Sequence, residues 1–283
     1  MITEMINKQK AFYLKINRSE DFALRNLSRW IDAAYLAKAD CYIVCDREDL
    51  VEKIKDTILL SGSAEFIKSG KSADMETIVN QIASRNWINA AYAHLTTFWH
   101  AEDMGYDYFW NIDADDTQLC LSADRTQELF QCVESYAEEN SIDCFSLDMW
   151  SSRFNGMHWS FGITYTKVRA DWRSLLLQHC SDVEYKQFGT DDNNNVDWFF
   201  TYLKTCTALR IETFYLENLK FIHYSNDFFL KPVGSGFYHW KGGKLLYPIL
   251  YYCFGMKELG LYPIASDVIK LDIHIQDDEA KDA

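Results

Sequence analysis

The sequence predicts an α/β layered fold with a mostly parallel central sheet, and three observations carry that expectation. Short apolar runs, AFYLKIN, CYIVC, YDYFWNI and CFSLDMW, recur through the first half of the chain. Longer stretches with apolar residues at helical spacing separate them. Strands alternating with helices of this length are joined by crossovers, which set neighbouring strands parallel. After Trp150 the order becomes less regular, which implies a mixed second half packed on the first.

Each element has a local reason. Ala11 to Asn17 is mostly apolar and reads as a buried strand. Ser19 then offers an N-cap, with Glu20 and Asp21 in the first turn. Leu24, Leu27, Ile31 and Tyr35 follow at helical spacing and predict the buried face of that helix, with Arg25, Arg29 and Asp32 on the other face. Cys41 to Cys45 is a second short strand ending at Asp46, and a helix is expected over Glu48 to Asp56. A longer helix rich in Ala, Trp and Leu is expected from Asn86 to Glu102, before a strand from Tyr106 to Ile112. Ser122 opens a helix running to Glu139, and Cys144 to Trp150 returns as a strand. Farther on, HWSFGITYTKV and LRIETFYL read as strands, and helices are expected over Asp171 to Cys180 and Val196 to Cys206.

Charge narrows the function. With 28 basic and 42 acidic residues the formal net charge is −14, which argues against a nucleic-acid partner and against strong binding to anionic membranes. The eight cysteines are scattered, with no CxxC pair. Cys41, Cys45 and Cys144 lie in apolar runs, as small core residues of a reduced protein would. The amino terminus, MITEMINKQK, lacks the apolar core of a signal peptide. The longest apolar run, LLYPILYYCFGM, is too short to span a bilayer, though it allows a peripheral membrane contact. The expectation is a soluble, cytoplasmic protein.

The most informative stretch is YFWNIDADDT, in which an apolar strand runs into Asp113, Asp115 and Asp116. Ligands of open α/β sheets bind outside the carboxyl ends of the strands. Carboxylates crowded there repel one another unless a cation neutralises them. Hard cations such as Mg²⁺ or Mn²⁺ take oxygen donors, commonly one or two carboxylates plus substrate phosphates. Other readings remain open at this point: a solvated turn, a cap, or a calcium loop. The calcium loop has Asp113, Asp115 and Thr117 at its first, third and fifth positions, but Gln118 where glycine belongs and Asp124 at the final glutamate position.

In this context NIDADD resembles the nucleotide-sugar-dependent glycosyltransferases of the GT-A fold, whose DxD motif ends a strand; here it is Asp113-Ala114-Asp115. The order of parts agrees from about Lys10 to Tyr224. FIHYSNDFFLKPV also looks like the late H…KP segment of glycosyltransferase family 8, with a longer spacing and Val233 in place of that family's Trp. The resemblance implies a GT-A-like (Rossmann-like) domain over 1–270, with a nucleotide-binding part at about 10–117, an acceptor-side part at about 118–270, and an acidic tail at 271–283. It implies Mn²⁺ or Mg²⁺ held by Asp115 and His223, with Asp113 on the ribose or on the metal through water, and Lys231 on the donor diphosphate.

The same frame assigns the remaining candidates. Lys15, Ile16 and Asn17 would present backbone to the nucleotide with Arg18 nearby, Asp46 would accept from a base edge, and Arg85 would reach a phosphate. An inverting enzyme would draw its general base from Asp191, Asp192 or Asp197, whereas family 8 leans toward retention. Trp150, Trp159, Tyr224 and Trp240 would stack on sugar, although aromatics are more often core. The expected function is metal-dependent transfer of a sugar, from a UDP sugar first of all, to a glycan acceptor, in a setting such as bacterial surface polysaccharide synthesis. Two alternatives stand beside it. A sugar-nucleotide nucleotidyltransferase would show a glycine-rich phosphate loop, and AFYLKINRSED has no glycine. A non-catalytic carbohydrate-binding protein would have no need of acids at a strand end.

Overall fold

In a computed structural model of the chain, nine strands and eight helices are described, over residues 9–17, 19, 21–58, 64–85, 87–114, 117–119, 123–148, 163–188, 196–215 and 230–232. The first unit is β1 (Lys10–Lys15), α1 (Asp21–Leu36) and β2 (Asp40–Val44). It continues through α2 (Glu48–Thr57), β3 (Ala64–Ile67), α3 (Ala73–Ile82), α4 (Ile88–Met104) and β4 (Tyr108–Asp113). Then come β5 (Thr117–Leu119), α5 (Ala123–Glu139), β6 (Cys144–Asp148), β7 (Ile163–Lys167), α6 (Trp172–His179), α7 (Val183–Phe188), α8 (Val196–Cys206), β8 (Ile211–Tyr215) and β9 (Leu230–Pro232).

Seven strands form one sheet in the order β3-β2-β1-β4-β7-β6-β8. β1 pairs parallel with both β2 and β4, and β2 pairs parallel with β3. β7 is antiparallel to both β4 and β6, and β6 is parallel to β8. The expected mostly parallel sheet with a mixed second half is what forms. β5 and β9 make a separate antiparallel pair.

The two faces of the sheet follow from the period-two alternation of strand side chains. Phe12 and Leu14 of β1, with Tyr108, Trp110 and Ile112 of β4, pack into one core with α1, α2 and α5. Ala11 and Tyr13, with Phe109, pack into the other core with α3, α4, α6, α7 and α8. Burial on both faces explains why these strands read as continuous apolar runs. Trp110 anchors the first core: its ring centroid lies 4.3 Å from Phe130, 5.6 Å from Phe145 and 5.8 Å from Tyr165.

The structure departs from the sequence expectation in identifiable places. β3 and α3 occupy a stretch in which no regular element was expected. β3 is an edge strand with Glu65 exposed and its other residues only partly covered, so it lacks the apolar run of a central strand. α3 does carry a start signal: the Ser72 hydroxyl accepts from Met75 N at 3.3 Å. α4 starts and stops two residues later than expected. Its end is set by Gly105, whose φ of 73° is left-handed and lets Tyr106 N reach back to Ala101 O at 3.1 Å. Tyr35 is 63% exposed, not buried, while Trp30 and Ala34 turn inward from the same helix. Cys41, Cys45 and Cys144 are buried free thiols, as expected. Among the described residues no helix is long and apolar enough to cross a membrane. The run from Leu245 to Met256 lies outside them.

Phe130→Ala should destabilise the protein by about 3–5 kcal/mol, because it empties the space between Trp110, Phe12 and Trp30. Tyr35→Ser should stay within about 0.5 kcal/mol of wild type. Urea unfolding midpoints at unchanged m-value check both.

Candidate functional site

β1 and β4 are central neighbours, and their parallel register sets Lys15 opposite Asp113. The chain leaves β1 for β2 on one side, and β4 lies on the other side of β1. Such a reversal of strand order opens a crevice at the carboxyl edge, where open α/β sheets take ligands. Both residues end their strands at that edge. By alternation they also share the face covered by α4, since Tyr13 and Phe109 two and four residues earlier belong to that core.

The geometry there is a polar cluster set into an apolar helix–sheet interface. Lys15 Nζ lies 2.6 Å from Asp113 Oδ1, with the side chains 8% and 29% exposed. The same ammonium lies 2.7 Å from His94 Nδ1 and 2.9 Å from His94 Nε2. Asn111 Nδ2 approaches His94 Nδ1 at 3.2 Å and donates to Thr97 Oγ1 at 3.0 Å. A neutral imidazole has one lone pair to offer, and both Lys15 and the Asn111 amide nitrogen are donors. Neutral, the ring accepts a hydrogen bond here rather than adding a second positive charge. Burial, and then the neighbouring Lys15 charge, hold the His94 imidazole well below the usual histidine range. Among the described residues Asn111 Oδ1 is buried without a hydrogen-bond partner.

Asp113 thus meets a cation from the chain itself. Lys15 was expected to present its backbone there; its ammonium is in addition the counter-charge of Asp113. That bears on whether a hard divalent cation fits. A carboxylate with an ammonium 2.6 Å from one oxygen is a poor inner ligand for a second, doubly charged cation. Asp113 suits contact through water or with a hydroxyl. The calcium-loop alternative does not fit, because such a loop joins two helices and these acids follow a strand.

The loops beyond the strand ends are tied together. Arg47 Nη1 donates to Asn17 O at 3.2 Å, and Ser69 N donates to Asp46 Oδ1 at 2.7 Å. Gly70 N donates to Thr96 Oγ1 on α4 at 2.8 Å. Asn17 and Asp46 are both exposed at the edge, and one oxygen of Asp46 is occupied in holding the loop after β3. Arg85 is exposed in the α3–α4 connection. Asp197 is half-buried in the first turn of α8, and its carbonyl accepts from Thr201 Oγ1 at 2.8 Å. β5 and β9 bring the backbone of Lys231 opposite Gln118, and that of Pro232 opposite Thr117. Arg18, Asp115, Asp191, Asp192 and His223 lie outside the described residues, as do Trp150, Trp159, Tyr224 and Trp240.

His94 and Asn111 were missed in the sequence. A signal was present: His94, Thr96 and Thr97 are three polar residues in a row of buried helix positions between Ala91 and Phe98. Polar side chains on a core-facing helix surface need partners, and those partners sit at the end of β1 and in β4.

No family model matches this sequence, and no curated protein matches it. Among solved structures it is similar to one described as a nucleotide-diphospho-sugar transferase from Desulfovibrio desulfuricans G20. That likeness has 11% identity and a TM-score of 0.44, covering 73% of this chain and 80% of the other. It is also similar to a 4-diphosphocytidyl-2C-methyl-D-erythritol synthase from Anaerococcus prevotii DSM 20548, at 11% identity and a TM-score of 0.39, covering 74% and 89%. At these scores neither likeness carries an argument about the site, which rests on this chain's own geometry.

Two outcomes follow from the cluster. Asp113→Asn should cost about 2–3 kcal/mol, below the figure for a fully buried pair because Asp113 is partly exposed, and Lys15→Met in the same chain should recover part of that loss. Denaturation of both single variants and the double variant measures the coupling. His94 binds its proton less readily folded than unfolded, so its contribution is intact above the unfolded pKa of about 6.5 and is lost as pH falls below it. His94→Gln should flatten the fall in stability between pH 7 and 5 by up to about 1.4 kcal/mol per pH unit. His100, also lowered by burial, keeps its own share of the slope.

Proposed function

We propose that this protein is a glycosyltransferase of the GT-A type, moving a sugar from a nucleoside-diphosphate sugar, UDP sugars first, to a glycan acceptor. The observation that carries this reading is the in-register pair Lys15–Asp113 at the β1/β4 crevice, immediately before Asp115 and Asp116. The β5–β9 pairing supports it, because the segment directly after NIDADD is joined backbone to backbone with Leu230–Pro232 of the FIHYSNDFFLKPV stretch.

Breaking the bond from the anomeric carbon to the diphosphate builds negative charge on the departing phosphate. A divalent cation, when bound, supplies Lewis-acid stabilisation of that charge. In this reading Asp115 and His223 hold the cation. Asp113, oriented by Lys15, takes the ribose or a water of the cation. His94, neutral and packed beneath, holds the Lys15 ammonium toward the edge. Asn17 and Asp46 border the base, Arg18 and Arg85 approach the phosphates, and Lys231 meets the leaving diphosphate. Asp191, Asp192 and Asp197 stand on the acceptor side, with one of them as general base if configuration inverts. A cell-surface polysaccharide is the acceptor class that the family resemblance implies.

Thermal unfolding against a panel of nucleoside diphosphates, with and without Mn²⁺, tests the proposal on wild type and Asp115→Asn. A ligand at ~100 times its dissociation constant adds about 2.7 kcal/mol of stability. One nucleotide should raise the midpoint only with Mn²⁺ present, and the variant should lose that rise. No response to any nucleotide would remove the transferase reading.

A further inference from the structure

Three metal-ligating side chains of different elements converge away from the carboxyl-edge site. His179 ends α6, Asp182 lies between α6 and α7, and Cys206 ends α8. One donor atom of each lies within 4.8 Å of the other two. His179 Nδ1 is 2.7 Å from Asp182 Oδ2 and 4.0 Å from Cys206 Sγ. The Tyr202 hydroxyl, one turn before Cys206, donates to Asp182 Oδ2 at 2.8 Å. His179 and Asp182 are half-buried and Cys206 is exposed, so solvent reaches the group from one side. α8 leads into the amino end of β8, and β8 runs in the direction of β4. Cys206 therefore sits at the opposite edge of the sheet from Asp113.

Two simpler accounts explain less. A helix-end ion pair accounts for His179 with Asp182, three residues apart, but not for a thiol against the same imidazole nitrogen. A nucleophilic triad needs the imidazole to face the thiol with one nitrogen and the carboxylate with the other. Here Nδ1 meets both. Burial also pushes the Cys206 thiol up, against a smaller lowering by the Tyr202 hydroxyl, whereas an activated nucleophile is lowered.

We propose that His179, Asp182 and Cys206 form a binding site for a borderline divalent cation of the zinc class, clamping the end of α6 to the end of α8. One imidazole, one carboxylate and one thiolate make a donor mixture that such ions accept and that Mg²⁺ or Ca²⁺ does not. Tetrahedral zinc with bonds of about 2.0–2.3 Å spaces its donors roughly 3.3–3.6 Å apart. The thiol–imidazole gap closes slightly to reach that spacing, and the His179–Asp182 hydrogen bond opens slightly. The cation takes Nδ1, so the ring proton resides on Nε2, and the thiol releases its proton to solvent. Water fills the fourth position on the exposed side. The Tyr202 hydroxyl steadies Asp182 from outside, as supporting groups of metal sites do.

The test uses the full chain, stripped with a chelator and titrated with Co²⁺, whose bond to a thiolate gives a charge-transfer absorption. That absorption should appear, be displaced by Zn²⁺, and vanish in Cys206→Ser, a change at an exposed position that leaves the core intact. His179→Gln should abolish it too, and Tyr202→Phe should weaken Co²⁺ binding by about 10–100-fold. Asp115→Asn, the variant that tests the transferase proposal, should leave it unchanged, so the outcome is independent of that proposal. No charge-transfer band in wild type, or a band that survives Cys206→Ser, would overturn the assignment.

Discussion

The parallel pairing of β1 with β4 is the constraint on which the rest depends. Both strands are interior to the sheet and covered on both faces, so their register is held by two cores at once. A slip of one residue in β1 would send Phe12 and Leu14 to the face that holds Tyr13, and Lys15 away from Asp113. Nothing so large is tolerated in a close-packed interior. The same register carries on to the strand ends, where it delivers Lys15 opposite Asp113. The site is thus a by-product of packing that is decided several residues earlier.

Placing an ammonium at that point has an electrostatic logic. The chain carries a net charge of −14, and three of its acids gather within four residues at one strand end. A lysine 8% exposed is costly alone, but it is offset here by a carboxylate and an imidazole that stays neutral. Each member needs the others: the carboxylate for charge balance, the lysine for its counter-ion, and the histidine as an acceptor rather than a second cation.

The two edges of the sheet are built differently. At the carboxyl edge, bonds between side chains and backbone tie the loops to one another and to α4: Arg47 to Asn17, Asp46 to Ser69, and Thr96 to Gly70. These bonds hold the rim of the crevice while leaving side chains exposed along it. Toward the amino end, where α8 enters β8, the contacts are between side chains of helix ends, with His179, Asp182, Tyr202 and Cys206 in mutual reach.

The local pattern of the sequence determined the central strands, most helices and the acidic strand end, because residues buried on both faces leave unbroken apolar runs and helices packed on one face leave apolar residues at helical spacing. β3 and the inward turn of Trp30 in place of Tyr35 were not legible there, since an edge strand is half-covered and the buried face of α1 is chosen by what packs on it. Lys15 could be recognised as sitting at the end of a strand, but not as the partner of Asp113. That pairing spans 98 residues of chain and exists only once β1 and β4 are adjacent. His94 and Asn111 show the limit most clearly. Each is an ordinary polar residue in its own element, and only the docking of α4 on the sheet brings their side chains within 3.2 Å of each other. Periodicity is a local property that sequence carries directly; which polar groups satisfy one another is a contact between distant segments, and tertiary structure alone decides it.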